Sequence, residues 1–206
     1  MVQAAMEGWD IDSLDVSTAF LQGYRFEDLQ KIGVSRQPCA FSPPPGTFAL
    51  LAQLDKVWSE AALHPDLYAF ELDVGGYGLK DAPLLWFLKF SHWFISHGFK
   101  AQRHDQCVFH KIEDDKVVCI GSLHVDDSLM TGQRKHLDQA HADMEKAFGT
   151  IKRQTNAFRH FGVDIWRNPE TKHIHACQRA YLNELKPIVV PKGRAESKVG
   201  SELDHH

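Results

Sequence analysis

The apolar positions fall into short β-prone runs and two helix-length stretches. Residues 14–21 read as a strand running into a turn or helix start, closed by Gly23. Residues 36–46 hold Pro38, Pro43, Pro44 and Pro45, which cannot feed a regular backbone ladder, so this stretch is loop or extended chain. Residues 81–97 are apolar and aromatic on nearly every side, from Leu84 and Trp86 to Trp93 and Phe94. That length and all-round apolarity predict a buried helix, ended by Gly98.

Residues 107–112 and 117–125 are β-rich and flank the acidic turn Glu113-Asp114-Asp115, the pattern of an antiparallel hairpin. A second tight reversal is expected at Asp126-Asp127, with strand character resuming over 128–131. Residues 133–148 are polar with Leu137, Ala140, Met144 and Phe148 on one stripe, which predicts a surface helix packed along that stripe. Residues 158–166 and 173–177 form a last hairpin around Asn168-Pro169, and a short helix over 179–185 stops before Pro187. The order strand, helix, hairpin, helix, hairpin predicts an α+β fold, an antiparallel sheet with helices on one face in a split β-α-β arrangement. One structured core over 1–190 and a loose tail over 191–206 are expected.

Composition narrows the classes. The chain has 206 residues, 43% hydrophobic and 24% charged, ordinary for a globular protein. No apolar run reaches the roughly 18 residues of a membrane span, so no membrane partner is expected. The first dozen or so residues lack the basic-then-apolar build of a secretory signal, and an intracellular location, cytoplasm or nucleus, is the default expectation. Cys39, Cys107, Cys119 and Cys177 form no C-x-x-C pair, which argues against a zinc site or a disulfide framework and for buried free thiols. The 13 histidines show no ligand spacing either, so an unrelated zinc protein is set aside. A net charge of −4 argues against strong general affinity for nucleic acid, although Lys80, Lys89, Lys100 and Arg103 could make a local basic face.

The sharpest chemical feature is Asp126-Asp127, adjacent carboxylates at a strand reversal flanked by Leu123, Val125, Leu129 and Met130. Like charges at a half-buried tip call for a compensating cation, and a divalent metal meets that need with few protein ligands. Asp-Asp is also an ordinary turn choice. Asp15, inside the strand-like Leu14-Asp15-Val16, is the natural third carboxylate. Three such groups could hold two metals about 3.5–4 Å apart for in-line displacement at phosphorus.

Several segments resemble one family in order. Leu14-Asp15-Val16-Ser17-Thr18-Ala19-Phe20-Leu21-Gln22-Gly23 resembles the LDVKTAFLNG motif of copia-type LTR retrotransposon reverse transcriptases. The stretch from Tyr77-Gly78-Leu79-Lys80-Asp81-Ala82-Pro83 to Phe87 resembles their YGLKQAPRAWY, and His124-Val125-Asp126-Asp127 resembles YVDD. Asp105-Gln106-Cys107-Val108-Phe109 and His160-Phe161-Gly162-Val163-Asp164-Ile165 resemble the D-x-C-x-F and FLGIEI segments.

The resemblance implies a polymerase palm, with Asp15, Asp126 and Asp127 as catalytic ligands of Mg2+ or Mn2+. Phe20 would lie under the sugar of the incoming nucleotide and exclude a 2′-hydroxyl, although its residue type suits a plain core aromatic equally well. The main chain at Val16 would help hold metal and triphosphate. Gly78, Lys80, Asp81 and His124 would border nucleotide, template or primer end. The implied partners are an RNA or DNA template-primer, deoxynucleoside triphosphates, and the integrase and ribonuclease H of a Gag-Pol polyprotein.

The sequence departs from the motifs in places. His124 stands for tyrosine beside the carboxylate pair, and Asp81 stands for glutamine, turning a neutral amide into an acceptor-only anion expected to repel phosphates. Leu84 or Leu85 replaces a common arginine. Only about a dozen residues precede the first motif, so a fragment with a truncated fingers region is expected. Two functions follow: an RNA-directed DNA polymerase core, or a catalytically silent palm domain that binds nucleic acid or protein.

Overall fold

The computed structural model describes residues 1–186; the expected 191–206 tail and the last residues of the expected core lie outside the described residues. Helix α1 (Val2–Glu7) leads into β1 (Asp10–Val16). Past a 3-10 turn at Ala19–Gln22 come α2 (Phe26–Leu29), β2 (Ala40–Phe41), α3 (Thr47–Leu54), α4 (Ser59–Leu63) and β3 (Phe70–Glu71). The helix α5 (Ala82–Ser96) precedes β4 (Phe99–Ala101), β5 (Val108–Glu113), β6 (Lys116–His124) and β7 (Asp127–Gly132). Then follow α6 (Arg134–Phe148), β8 (Ile151–Thr155), β9 (Ala157–His160), β10 (Val163–Arg167), β11 (Ile174–Cys177) and α7 (Arg179–Glu184).

The architecture is α+β with antiparallel sheets. Six strands run in the order β4-β5-β6-β7-β1-β8, β9 to β11 form a second sheet, and β2 pairs with β3. Strand alternation sends Leu14 and Val16 of β1, Leu123 of β6 and Met130 of β7 to one face. There they meet Trp86, Phe90 and Phe94 of α5 and Leu137, Met144 and Phe148 of α6 in a single core. Trp86, Phe90 and Phe94 are fully buried, and each such side chain stabilises the fold by about 1.5–3 kcal/mol. The Phe94 ring stacks on Phe109 with centroids 4.5 Å apart. Gly121 makes room for it, because a Cβ there would stand 2.8 Å from Phe94.

A smaller core lies on the other face. Ile11, Leu129 and Ile120 of the large sheet pack with Ala4, Trp9, Phe158 and Ile165. The second sheet covers the end of this face nearest Asp10 and reaches His124 through Phe161, while the Asp15 side chain stays partly exposed.

Several expectations are corrected. Helix α5 is not buried on every side: Leu84 and Ile95 are more than half exposed. Residues 158–166 are not one strand, because Phe161 and Gly162 take positive φ and reverse the chain between β9 and β10. Strand β8 pairs with β1 although its sequence, IKRQT, has no apolar alternation. Of the cysteines only Cys119, on the helix-covered face of β6, is buried; Cys39, Cys107 and Cys177 are partly exposed. Among the described residues no helix is long and apolar enough to cross a membrane.

Candidate active site on the open sheet face

Strand register decides which side chains meet at the Asp15 end of this face. Asp15 pairs with Asp127 across β1 and β7, and His124 pairs with Asp127 across β6 and β7. The same register puts Asp15 opposite Lys152 of β8. Period-two alternation sends Asp15, with Ser13 and Ile11, to the face opposite Leu14 and Val16. The Asp15 carboxylate thus stands on the sheet surface that the helices leave free.

The reversal lies one residue earlier than expected. Val125 and Asp126 form the two-residue turn, and Asp127 already belongs to β7. Val125 has φ 55°, a left-handed backbone that a β-branched side chain rarely adopts. Asp126 therefore stands in the turn and Asp127 at the first strand position.

Burial pushes the Asp127 carboxyl above the ordinary carboxylate range, and repulsion from Asp126 and Asp15 adds to it; His160 and His124 pull the other way. Three acidic groups thus share a field that a cation would relieve. Lys152 supplies part of it, donating to Asp15 Oδ2 at 3.3 Å. Among the described residues no group of three or more His, Cys, Asp or Glu is set to hold a metal ion. A pocket lined by Ser13, Asp15, Lys152, Arg153 and Gln154 opens here.

The second sheet reaches the site at its edge. The His124 ring meets Phe161 edge-on at 4.2 Å, and Phe161 lies 4.3 Å from the His160 ring. Burial holds the His160 imidazole below its usual range despite the nearby Asp127 charge. His160 and Phe161 were legible in sequence as a motif but not as neighbours of His124.

The remaining predicted residues gather around the first turn of α5. Val16 is buried in the helix-side core, so only its main chain is available to a ligand. Phe20, on the 3-10 turn after β1, is partly buried against that core and meets the exposed Tyr77 ring at 5.3 Å. Gly75 lets these segments approach, since a Cβ there would be 3.2 Å from Ala82 and 3.4 Å from the Phe20 carbonyl. Gly78 has φ 90°, and Lys80 is exposed. Lys89 is partly buried, and its Nζ donates to the Gly23 carbonyl at 3.4 Å.

Asp81 requires a correction. It is not a bare anion, because Arg36 donates to both carboxylate oxygens, through Nε to Oδ2 and through Nη2 to Oδ1 at 3.3 Å. The Arg36 hydrogen bond holds the Asp81 carboxyl below the usual carboxylate range. Sequence reasoning missed Arg36, which lies 45 residues away in the proline-rich stretch.

A larger group escaped it too. Asp12, 1% exposed, accepts from Arg153 Nε at 2.9 Å and Nη2 at 2.6 Å and from Thr155 Oγ1 at 2.7 Å. Asp10 accepts from Arg134, Asn156 and Arg167. This network lies beneath β1 and ties it to β8, α6 and β10.

An antiparallel sheet backed by two helices, with register-paired aspartates on its helix-free face, is the setting in which the ordered sequence motifs occur. The chain belongs to the family described as reverse transcriptase (RNA-dependent DNA polymerase), whose profile matches residues 1–189. The likeness to copia-type retrotransposon enzymes holds over most of its length. It is 28% identical over 198 residues, 91% of the chain, to the retrovirus-related Pol polyprotein from transposon TNT 1-94 of Nicotiana tabacum. It is 27% identical over 197 residues, again 91% of the chain, to the retrovirus-related Pol polyprotein from transposon RE1 of Arabidopsis thaliana. The chain spans only 13% and 12% of those two polyproteins. No solved structure matches it.

Proposed function

We propose that the chain is the palm-containing core of an RNA-directed DNA polymerase that acts through Asp15, Asp126 and Asp127. The observation that carries this reading is the register pairing of Asp15 with Asp127 on the sheet face that the helices leave free, with Asp126 one residue away in the turn. Hard carboxylate oxygens in a field of like charge suit Mg2+ or Mn2+, and these three aspartates would hold it. Bound there, a divalent ion would supply Lewis-acid stabilisation of the transferring phosphoryl group.

The chain's own residues would do the rest. The open face would receive the end of a primer on its template beside His124 and Phe161. Phe20, braced by Tyr77, would carry the sugar of the incoming deoxynucleoside triphosphate, and Lys80 would meet phosphate. Asp15 would first exchange its Lys152 partner for the ion. The integrase and ribonuclease H of a Gag-Pol polyprotein would be the wider context.

One observation favours a catalytically silent palm module instead: Asp15 is held by Lys152. The two readings separate in a deoxynucleotide incorporation assay on a primed RNA template with Mg2+ or Mn2+. Template-dependent extension that disappears in Asp126→Asn/Asp127→Asn supports the polymerase. No extension by the folded chain supports the silent module.

A further inference from the structure

The stretch from Arg25 to Pro38 is short helix followed by irregular chain from Val34 onward, and one side chain in the irregular part is almost fully committed. Arg36, only 13% exposed at its side chain, forks onto Asp81 and donates from Nη1 to the Gln37 carbonyl at 3.2 Å. Its guanidinium lies over the Phe26 ring at 3.7 Å. Asp81 is the residue that caps α5, immediately after the Gly78-Leu79-Lys80 turn. Ala82, next in line, packs against Gly75, which also approaches the Phe20 carbonyl.

We propose that Arg36 is a positioning residue that clamps residues 25–38 to the N-terminus of α5 and screens the Asp81 carboxylate from an incoming nucleotide. A planar fork with both arms occupied fixes direction as well as distance, and the Phe26 ring leaves it little freedom. Through Asp81 the clamp holds the Gly78–Asp81 turn against residues 25–38. The clamp stands on the geometry alone; the screening rests on the nucleotide-binding reading above. It also gives Asp81 a role here: with Arg36 present the acidic residue is half of a neutral pair.

The test uses the chain with Arg36→Met, Asp81→Asn and both together, with two readouts. In amide hydrogen exchange, either single change is expected to speed exchange about five-fold or more in both 25–38 and 76–85, with the double no faster than the singles. Acceleration confined to the substituted segment, or additive effects, overturns the clamp. In dTTP incorporation on primed poly(rA), Arg36→Met is expected to raise KM for dTTP about five-fold with kcat within about two-fold. Adding Asp81→Asn returns KM toward wild type although the clamp stays broken. A double variant no better than Arg36→Met overturns the screening. If the wild-type chain neither extends primers nor binds dTTP, the screening falls with the polymerase reading, and the exchange pattern still decides the clamp.

Discussion

Replacing Asp12 by leucine perturbs the site from beneath. Asp12 is three residues upstream of Asp15 on β1 but faces the helices, and it is the acceptor for Arg153 and Thr155. Removing it strands a guanidinium that is 19% exposed and orphans the Thr155 hydroxyl. Breaking a buried pair by removing one partner costs about 3–5 kcal/mol. Arg153 keeps a second acceptor in Asp138 at 2.7 Å, so the lower end, about 3 kcal/mol, is expected.

With a urea dependence of about 2 kcal/mol per molar, that loss moves the unfolding midpoint down by about 1.5 M. The double variant Asp12→Leu/Arg153→Met removes both charges and is expected to recover at least half of it, because an apolar replacement of a buried pair is often neutral. Urea titration followed by circular dichroism measures both. A midpoint shift below about 0.5 M for Asp12→Leu, or a double variant that loses the sum of the two singles, refutes the argument that this pair anchors β1 to β8.

Other expectations follow from the same structure. Asp126→Asn removes a like charge and should lower the Asp127 midpoint, read by carbon NMR of the carboxyl; an unmoved midpoint removes the case for a shared field. Burial alone would raise the Asp10 carboxyl, but hydrogen bonds from Asn156 and Arg134 and the Arg134 and Arg167 charges outweigh it and hold it below the usual carboxylate range. Its contribution is therefore present above the unfolded value of 3.8 and lost as pH falls through the lower folded value. Acid unfolding of Asp10→Asn should lack that component. Gly132→Ala would put a Cβ 2.7 Å from the Val118 carbonyl and 2.9 Å from Cys119 Cα, an overpacking cost of about 1–3 kcal/mol. Gly76→Ala, with nothing within 4 Å, is the neutral control in the same melting experiment. Burial pushes the Cys119 thiol up to about 12, so it should resist alkylation in the native chain while Cys39 and Cys177 react.

What the sequence made legible was local periodicity and linear motif. Helix α6 could be read from its single apolar stripe, and α5 from a run too long for a strand. The β5–β6 hairpin could be read from its acidic turn, where Asp114 and Asp115 both take positive φ. Features held by pairing across distance gave no such signal. Strand β8 shows no alternation because Arg153 and Thr155 turn inward to Asp12 while Lys152 and Gln154 turn out to the open face; its pattern is polar on both sides. The break between β9 and β10 was missed because Phe161 there is a large apolar residue, which reads as strand continuation.

The same distinction governs the candidate site. The three aspartates were found by motif, but their relation depends on register: Asp15 and Asp127 are brought opposite each other by six consecutive pairs between β1 and β7. A slip of one residue would turn Asp15 into the helix-side core and Leu14 out. Burial of Leu14 and Val16 opposes that slip; against a slip of two residues, which keeps the faces, the discriminating pairs are the ionic ones, Asp12 with Arg153 and Asp10 with Arg134 and Arg167. The ion-paired acidic residues Asp10 and Asp12 therefore help specify where Asp15 stands. Losing them should disturb the Asp15–Asp127 pairing even in a chain that remains folded.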